Sequence, residues 1–194
     1  MRTFGIIIVE REEKMVKELV ERIRQKDQRA MSQFYQQYVG ELSSVCYRYV
    51  PSEDDAKDVL QNSFVKIFTS LPTIEYRSDE ALRGWMRRVV ASEALLYLRE
   101  RKRLLFVEQT GEVMELADAD EPQPDLISPD VLHQMISELS VGYRTVINLY
   151  VFEGYSHKQI ADLLGITEST SASQLYFAKR ILARRIKELK KERQ

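Results

Sequence analysis

Residues 104–143 hold nine Asp/Glu and no Lys/Arg, with prolines at 122, 124 and 129. Such a stretch resists regular structure. Proline withholds a backbone donor, like charges repel, and "VEQTGEVMELADADEPQPDLISPD" shows no helical period. It divides the 194-residue chain, so each flank must bury a core of its own. The flanks carry the opposite charge: residues 1–103 hold 19 Lys/Arg against 16 Asp/Glu, and residues 144–194 hold 10 against 5. The formal net charge of −1 is thus two basic blocks cancelled by an acidic middle. The expected organisation is a first domain at 1–103, a flexible acidic linker at 104–128 and a second domain at 129–194.

Both flanks show helical periodicity. Val16, Leu19, Val20 and Ile23 recur at helical spacing, with Asp27 near the stop. A second stripe, Met31, Phe34, Tyr35, Tyr38, Leu42, Val45 and Tyr49, ends at Pro51. Ser52, with Asp55 three residues on, predicts a capped third helix. That helix buries Ala56, Val59, Leu60, Phe64, Ile67 and Phe68 and shows Asp55, Asp58, Gln61, Asn62 and Lys66 outward. A long helix from Asp79 to about Arg103 buries Leu82, Trp85, Met86, Val89, Val90 and Leu98. The apolar run at residues 6–9 is the one β-like signal and fits no place in this pattern. The fold class is all-α.

Composition excludes several function classes. Apolar residues make up 44% and charged residues 30%, as in ordinary globular proteins. No apolar run near the start is long enough for a signal peptide or a membrane span, which predicts a cytoplasmic protein. The single cysteine, Cys46, permits no intramolecular disulfide and reads as a small core residue. His133 and His157 are isolated, and neither metal-ligand spacing nor a phosphate-binding glycine loop occurs. The expectation is a protein that is not an enzyme and takes no metal or cofactor.

The second flank carries the sharper motif. Ser128-Pro129-Asp130 opens a helix with apolar side Val131, Leu132, Met135, Ile136 and Leu139. A helix over 141–153 buries Val146, Ile147, Tyr150 and Val151 and stops at Gly154. Ser156 and Gln159 form a capping box for "HKQIADLL", Gly165 closes that helix, and Thr167 caps the next. The last helix has the stripe Leu175, Ala178, Ile181, Leu182, Ile186 and Leu189. Two helices joined by a three-to-four-residue turn with Gly form a helix-turn-helix. The distal end carries Lys179, Arg180, Arg184, Arg185, Lys187, Lys190, Lys191 and Arg193, more cations than a bare helical hairpin requires. In the first flank, residues 83–103 mix Arg83, Arg87, Arg88, Arg99, Arg101, Lys102 and Arg103 with Trp85 and Tyr97, just after Tyr76, a pattern suited to single-stranded DNA.

Together the flanks resemble the extracytoplasmic-function class of bacterial sigma factors, over about residues 28–189 with only the linker unmatched. "DDAKDVLQNSFVKIF" looks like the segment that docks on the polymerase clamp helices, "LRGWMRRVVASEALLYLRERKR" like the −10 helix, and "LSVGYRTVINLYVFEGYSHKQIADLLGITESTSASQLYFAKRIL" like the −35-reading domain. The resemblance implies a dissociable promoter-specificity subunit of RNA polymerase, with core polymerase, promoter DNA and a cognate anti-sigma factor as partners. It assigns docking to Asp58, Gln61, Asn62, Phe64 and Lys66. It assigns the −10 strand to Tyr76 and Arg77, in a loop that captures a flipped base, and to Arg83, Trp85, Arg87, Arg88 and Ser92. It assigns the −35 duplex to Ser169, Ser171, Ala172, Ser173, Gln174, Tyr176, Phe177 and Lys179. Lys57 and Asn62 replace acids usual in the family; Ala91, Ser92 and Leu96 replace an arginine, an asparagine and an aspartate. Arginine or lysine is common in the family where Ala172, Gln174 and Phe177 stand. An arginine-free face forgoes the strongest guanine contact yet keeps Gln174 for adenine and apolar atoms for thymine methyls.

Two rivals are weighed against this. One is a helix-turn-helix regulator that is not a polymerase subunit, since response-regulator output domains resemble residues 139–189. It calls for an α/β receiver or ligand pocket in front, and residues 10–103 look like neither. The other is a sigma-like adapter that binds a protein partner and no DNA.

Overall fold

In the computed structural model, residues 2–101 and 127–192 are described, with side chains for 13–101 and 127–191. The backbone forms two compact units, Met1–Tyr97 and Leu98–Gln194, and no described residue lies in a β-strand.

In the first unit, α1 spans Arg2–Arg24, α2 Gln28–Tyr49 and α3 Glu53–Ser70, and α4, Asp79–Glu100, begins there and runs three residues past its boundary. The run at residues 6–9 lies within α1, so the β-like signal resolves as helix. The α1–α2 reversal uses Lys26 at φ 61, after which Asp27 caps α2 by accepting from the Arg29 and Ala30 amides. Arg22 Nε donates to the Asp27 carboxylate at 2.9 Å, and that bond is the first cause holding its pKa below the usual value. Ser52 stands at the N-cap of α3 without a side-chain cap hydrogen bond, so the expected capping box does not form.

The core of this unit gathers Val16, Val20 and Ile23 from α1, Phe34, Tyr38 and Leu42 from α2, Ala56, Val59, Phe64 and Ile67 from α3, and Leu82, Met86 and Val90 from α4. Aromatic rings join α2 to α3: Phe34 lies 5.8 Å from Phe68, and Tyr35 lies 4.6 Å from Phe64. Cys46 is buried, its thiol donating to the Ala56 carbonyl at 3.3 Å, and burial pushes its pKa up to about 12. At neutral pH it is a protonated core residue rather than a nucleophile.

In the second unit, α5 spans Pro129–Ser137, α6 Val141–Ile147, α7 His157–Leu164 and α8 Glu168–Glu192. A π-helical turn, Asn148–Phe152, continues α6, with the Glu153 amide bonded to the Asn148 carbonyl at 3.1 Å. Asn148 and Leu149 are the buried residues of this turn, and Tyr150 and Val151 point outward instead of into the core as their spacing predicts. Arg144 is another departure from the sequence pattern. It is buried, and its Nη1 donates to the Ser137 and Leu139 carbonyls at 2.8 and 2.9 Å. One of the cations counted in the basic block therefore closes the end of α5, and burial lowers its pKa.

The turn between α7 and α8 follows the sequence signals. Ser156 Oγ accepts from the Gln159 amide and Gln159 Oε1 accepts from the Ser156 amide, completing a capping box. Gly165 takes the left-handed conformation at φ 70, ψ 36, which a side chain would disfavour. Thr167 Oγ1 accepts from the Thr170 amide at 3.0 Å and starts α8.

Candidate nucleic-acid interface

The three sets of residues fall on α3, on α4 with the loop before it, and on α8. On α3, Asp58, Gln61, Asn62 and Lys66 are exposed on one side. Lys66 Nζ pairs with Glu93 of α4 at 2.6 Å. Phe64 is the correction: it is 4% exposed and stacks among Tyr35 and Phe68, so its ring supports the face from behind and cannot meet a partner. The apolar residue in front is Val65, 62% exposed, which sequence reasoning missed. Its signal was there: it follows Gln61 by four and Asn62 by three, on the polar stripe.

Between the loop after α3 and the first turns of α4 lies a recess of about 260 Å³, lined by Tyr76, Arg77, Trp85 and Arg88 over Val20, Leu71 and Leu82. The Tyr76 hydroxyl donates to the Glu13 carbonyl at 3.2 Å, fixing the ring as a wall, while Arg24 holds the loop through the Ile74 carbonyl. Arg77 and Arg88 are exposed, and Trp85 is half-buried with its side chain in the lining. Ser92 is exposed further along α4.

Arg83 and Arg87 differ from the expectation of free cations. Arg83 Nε donates to Asp79 at 2.7 Å, its Nη1 pairs with Glu41, and its guanidinium lies 4.9 Å from the centre of the Tyr38 ring. The Tyr38 hydroxyl in turn donates to Asp79 at 2.6 Å, and burial first, then Asp79, raises its pKa. Arg87 approaches Glu41 at 3.6 Å. Carboxylates on α2 and α4 thus neutralise Arg83, which ties the two helices together.

On α8, Ser169, Ala172, Ser173, Tyr176 and Lys179 face outward. Tyr176 is 52% exposed, whereas Phe177 is half-buried with its ring 6.4 Å from Tyr143. Ser171 and Gln174 are the second correction: at 0% and 5% exposed they lie on the inner side of the helix. They extend the stripe Leu175, Ala178, Leu182 and Ile186 by one turn toward the N-terminus, so the buried face begins with polar residues. Arg180 folds onto Tyr176, its Nη1 donating to the phenol oxygen at 2.6 Å and its Cζ 5.4 Å from the ring centre. Among the described residues no group of three or more His, Cys, Asp or Glu could hold a metal ion, and no helix is long and apolar enough to cross a membrane.

Two helical units, the second built on a capped helix-turn-helix, define an all-α protein of the helix-turn-helix kind. Comparison with known proteins goes further. The family model for sigma-70 region 2 matches residues 34–104, and that for sigma-70 region 4 matches residues 130–182. The chain is 27% identical over 186 residues to the RNA polymerase sigma-H factor of Pseudomonas aeruginosa, covering 90% of this chain and 95% of that protein. It is 27% identical over 182 residues to the ECF RNA polymerase sigma-E factor of Haemophilus influenzae, covering 88% and 95%. It is 28% identical over 138 residues to the RNA polymerase sigma factor SigV of Bacillus subtilis, covering 71% and 80%. The chain belongs to the extracytoplasmic-function group of sigma-70 RNA polymerase sigma factors. Its domains are those of non-catalytic transcription regulators.

Proposed function

We propose that this chain is a dissociable promoter-specificity subunit that docks on core RNA polymerase through α3 and reads −10 and −35 DNA through α4 and α8. The observation that carries the reading is the face of α8. Directly after the capped turn it turns Ser169, Ala172, Ser173 and Tyr176 outward, with the exposed cations Lys179, Arg184 and Lys187 following. Short polar and apolar side chains near the helix start suit base edges in a major groove, and distal cations suit phosphates.

The corrections sharpen the assignment of roles. Base contacts fall to Ser169, Ala172, Ser173 and Tyr176, while Ser171, Gln174 and Phe177 hold the helix from inside. In the first domain, the recess at Tyr76, Arg77, Trp85 and Arg88 receives one unstacked base of the opened −10 strand, and Arg87, Arg88 and Ser92 meet the strand beyond it. Arg83 positions rather than contacts. Docking uses Asp58, Gln61, Asn62, Val65 and Lys66. The division into 1–103, a linker at 104–128 and 129–194 belongs to the same proposal, as do a cytoplasmic location and an anti-sigma partner.

The test is reconstitution with core polymerase followed by promoter opening, read by permanganate reactivity of −10 thymines. Opening that depends on the chain supports the reading. DNA binding without polymerase association points to a free regulator, and polymerase binding without DNA contact points to an adapter.

A further inference from the structure

His157, isolated in sequence, is placed between three elements of the second unit. As the first residue of α7 it has its backbone fixed by the Ser156–Gln159 capping box. Its ring stacks on Tyr150 of the π-helical turn, with centroids 4.7 Å apart and planes 22° apart. Its Nδ1 lies 3.0 Å from Ser171 Oγ on α8. Ser171 has no exposed surface, so its hydroxyl has no access to water, and the imidazole supplies a hydrogen-bond partner.

We propose that His157 is a positioning residue for DNA readout, setting the rotation of α8 about its own axis through Ser171. The inference rests on the reading of α8 as the DNA-reading helix. Gln174 is the other buried polar side chain on this face of α8, and the groups around the pair are otherwise apolar: Ile160, Ala161 and Leu164 on α7, Leu175 and Ala178 on α8. Apolar packing is non-directional and tolerates a small roll, whereas a hydrogen bond fixes both a distance and an angle. A roll of about 15° moves a side-chain tip, some 5–6 Å from a helix axis, by about 1.5 Å. That exceeds what a base-edge hydrogen bond accepts. Ser171 is the sequence neighbour of Ala172 and stands two residues from both Ser169 and Ser173, so its anchor governs where all three outward groups point. The stack on Tyr150 holds the imidazole in the plane that the bond needs. A serine hydroxyl also matches either imidazole tautomer, by donating to the bare nitrogen or accepting from the protonated one.

The experiment uses the full chain reconstituted with core polymerase and a duplex promoter library randomised over the upstream element. His157→Phe keeps a ring on Tyr150 and removes the hydrogen bond, and Ser171→Ala removes the other partner. His157→Asn places an amide near the position of Nδ1. The expected result is a three- to tenfold loss of discrimination between the best and average sequences for each of His157→Phe and Ser171→Ala, about the worth of one net hydrogen bond. The double variant should be no worse than either single one, and His157→Asn should recover most of the loss. Binding to the unselected library, measured well below the melting transition, should stay close to wild type, and the thermal midpoint should fall by no more than the several degrees that one buried hydrogen bond is worth. Unchanged selection profiles, additive losses in the double variant, or equal losses of selected and unselected binding with a lowered midpoint would each overturn the proposal. If the wild-type complex itself selects no sequence, the reading of α8 fails and takes this inference with it.

Discussion

Truncating Phe64 should damage the fold, whereas charging its neighbour Val65 should damage the interface. Phe64 is buried between Tyr35, 4.6 Å away by ring centroids, and Phe68, 5.9 Å away. Phe64→Ala removes a whole ring from the α2–α3 contact, a change that costs about 3–5 kcal/mol in comparable cores. A domain of roughly 100 residues loses about 4–8 °C of midpoint per kcal/mol, so the first unit should melt at least about 12 °C lower. Since small domains hold only about 5–15 kcal/mol in all, some preparations will be partly unfolded at 37 °C. Val65→Asp, on an open surface, should shift stability by no more than about 0.5 kcal/mol. The assay pairs thermal melts of the full chain with pull-down of core polymerase below the transition. Val65→Asp should lose polymerase at an unchanged midpoint, and Phe64→Ala should retain binding in whatever fraction is folded. A Phe64→Ala variant that melts like wild type and no longer binds polymerase would refute the reasoning, since the ring would then face the partner.

Three further outcomes follow from the same geometry. Because Gln174 is buried and Tyr176 exposed, Gln174→Ala should lower the melting midpoint and leave the ranking of −35 sequences unchanged, whereas Tyr176→Ala should relax discrimination at one or two positions by about 1–3 kcal/mol in competition binding. Asp27 titrates below its ordinary value, first through Arg22, so its contribution is present above the ordinary carboxylate pKa and is lost as pH falls through the lowered one. Acid melts of Asp27→Asn should lack that part of the pH dependence. Replacing Glu112, Glu115, Asp118, Asp120, Glu121 and Asp125, which lie outside the described residues, with Ser or Asn at constant length should tighten nonspecific DNA binding by the free chain and alter promoter escape. A neutralised chain that behaves like the original in both assays would make the segment a tether alone.

Apart from Ser52, whose expected cap bond does not form, residues whose chemistry acts locally were legible in the sequence. Ser156 with Gln159, Gly165 and Thr167 each satisfy or permit a backbone group within a few residues, so the turn between α7 and α8 could be read before any tertiary contact was known. Longer-range facts were hidden. Ser171 and Gln174 look like surface residues, yet they continue a buried stripe, and the partner of Ser171 is His157 of α7, 14 positions earlier. Arg83 reads as one more cation of a basic helix until Glu41, 42 positions earlier, is brought beside it. Arg144 reads as surface charge until the end of α5 needs a donor. The family pattern marked Phe64 as a conspicuous aromatic, and only packing decides which side of α3 it serves.

The most direct test of the account is promoter opening by core polymerase with and without this chain, on a template selected by the reconstituted complex and probed with permanganate across the −10 region. The account predicts opened thymines only when the chain is present, and loss of opening with Val65→Asp through docking at an unchanged melting midpoint, or with Trp85→Ala through the recess at temperatures where that variant is still folded. Opening that is independent of the chain, or unaffected by both variants, would contradict it.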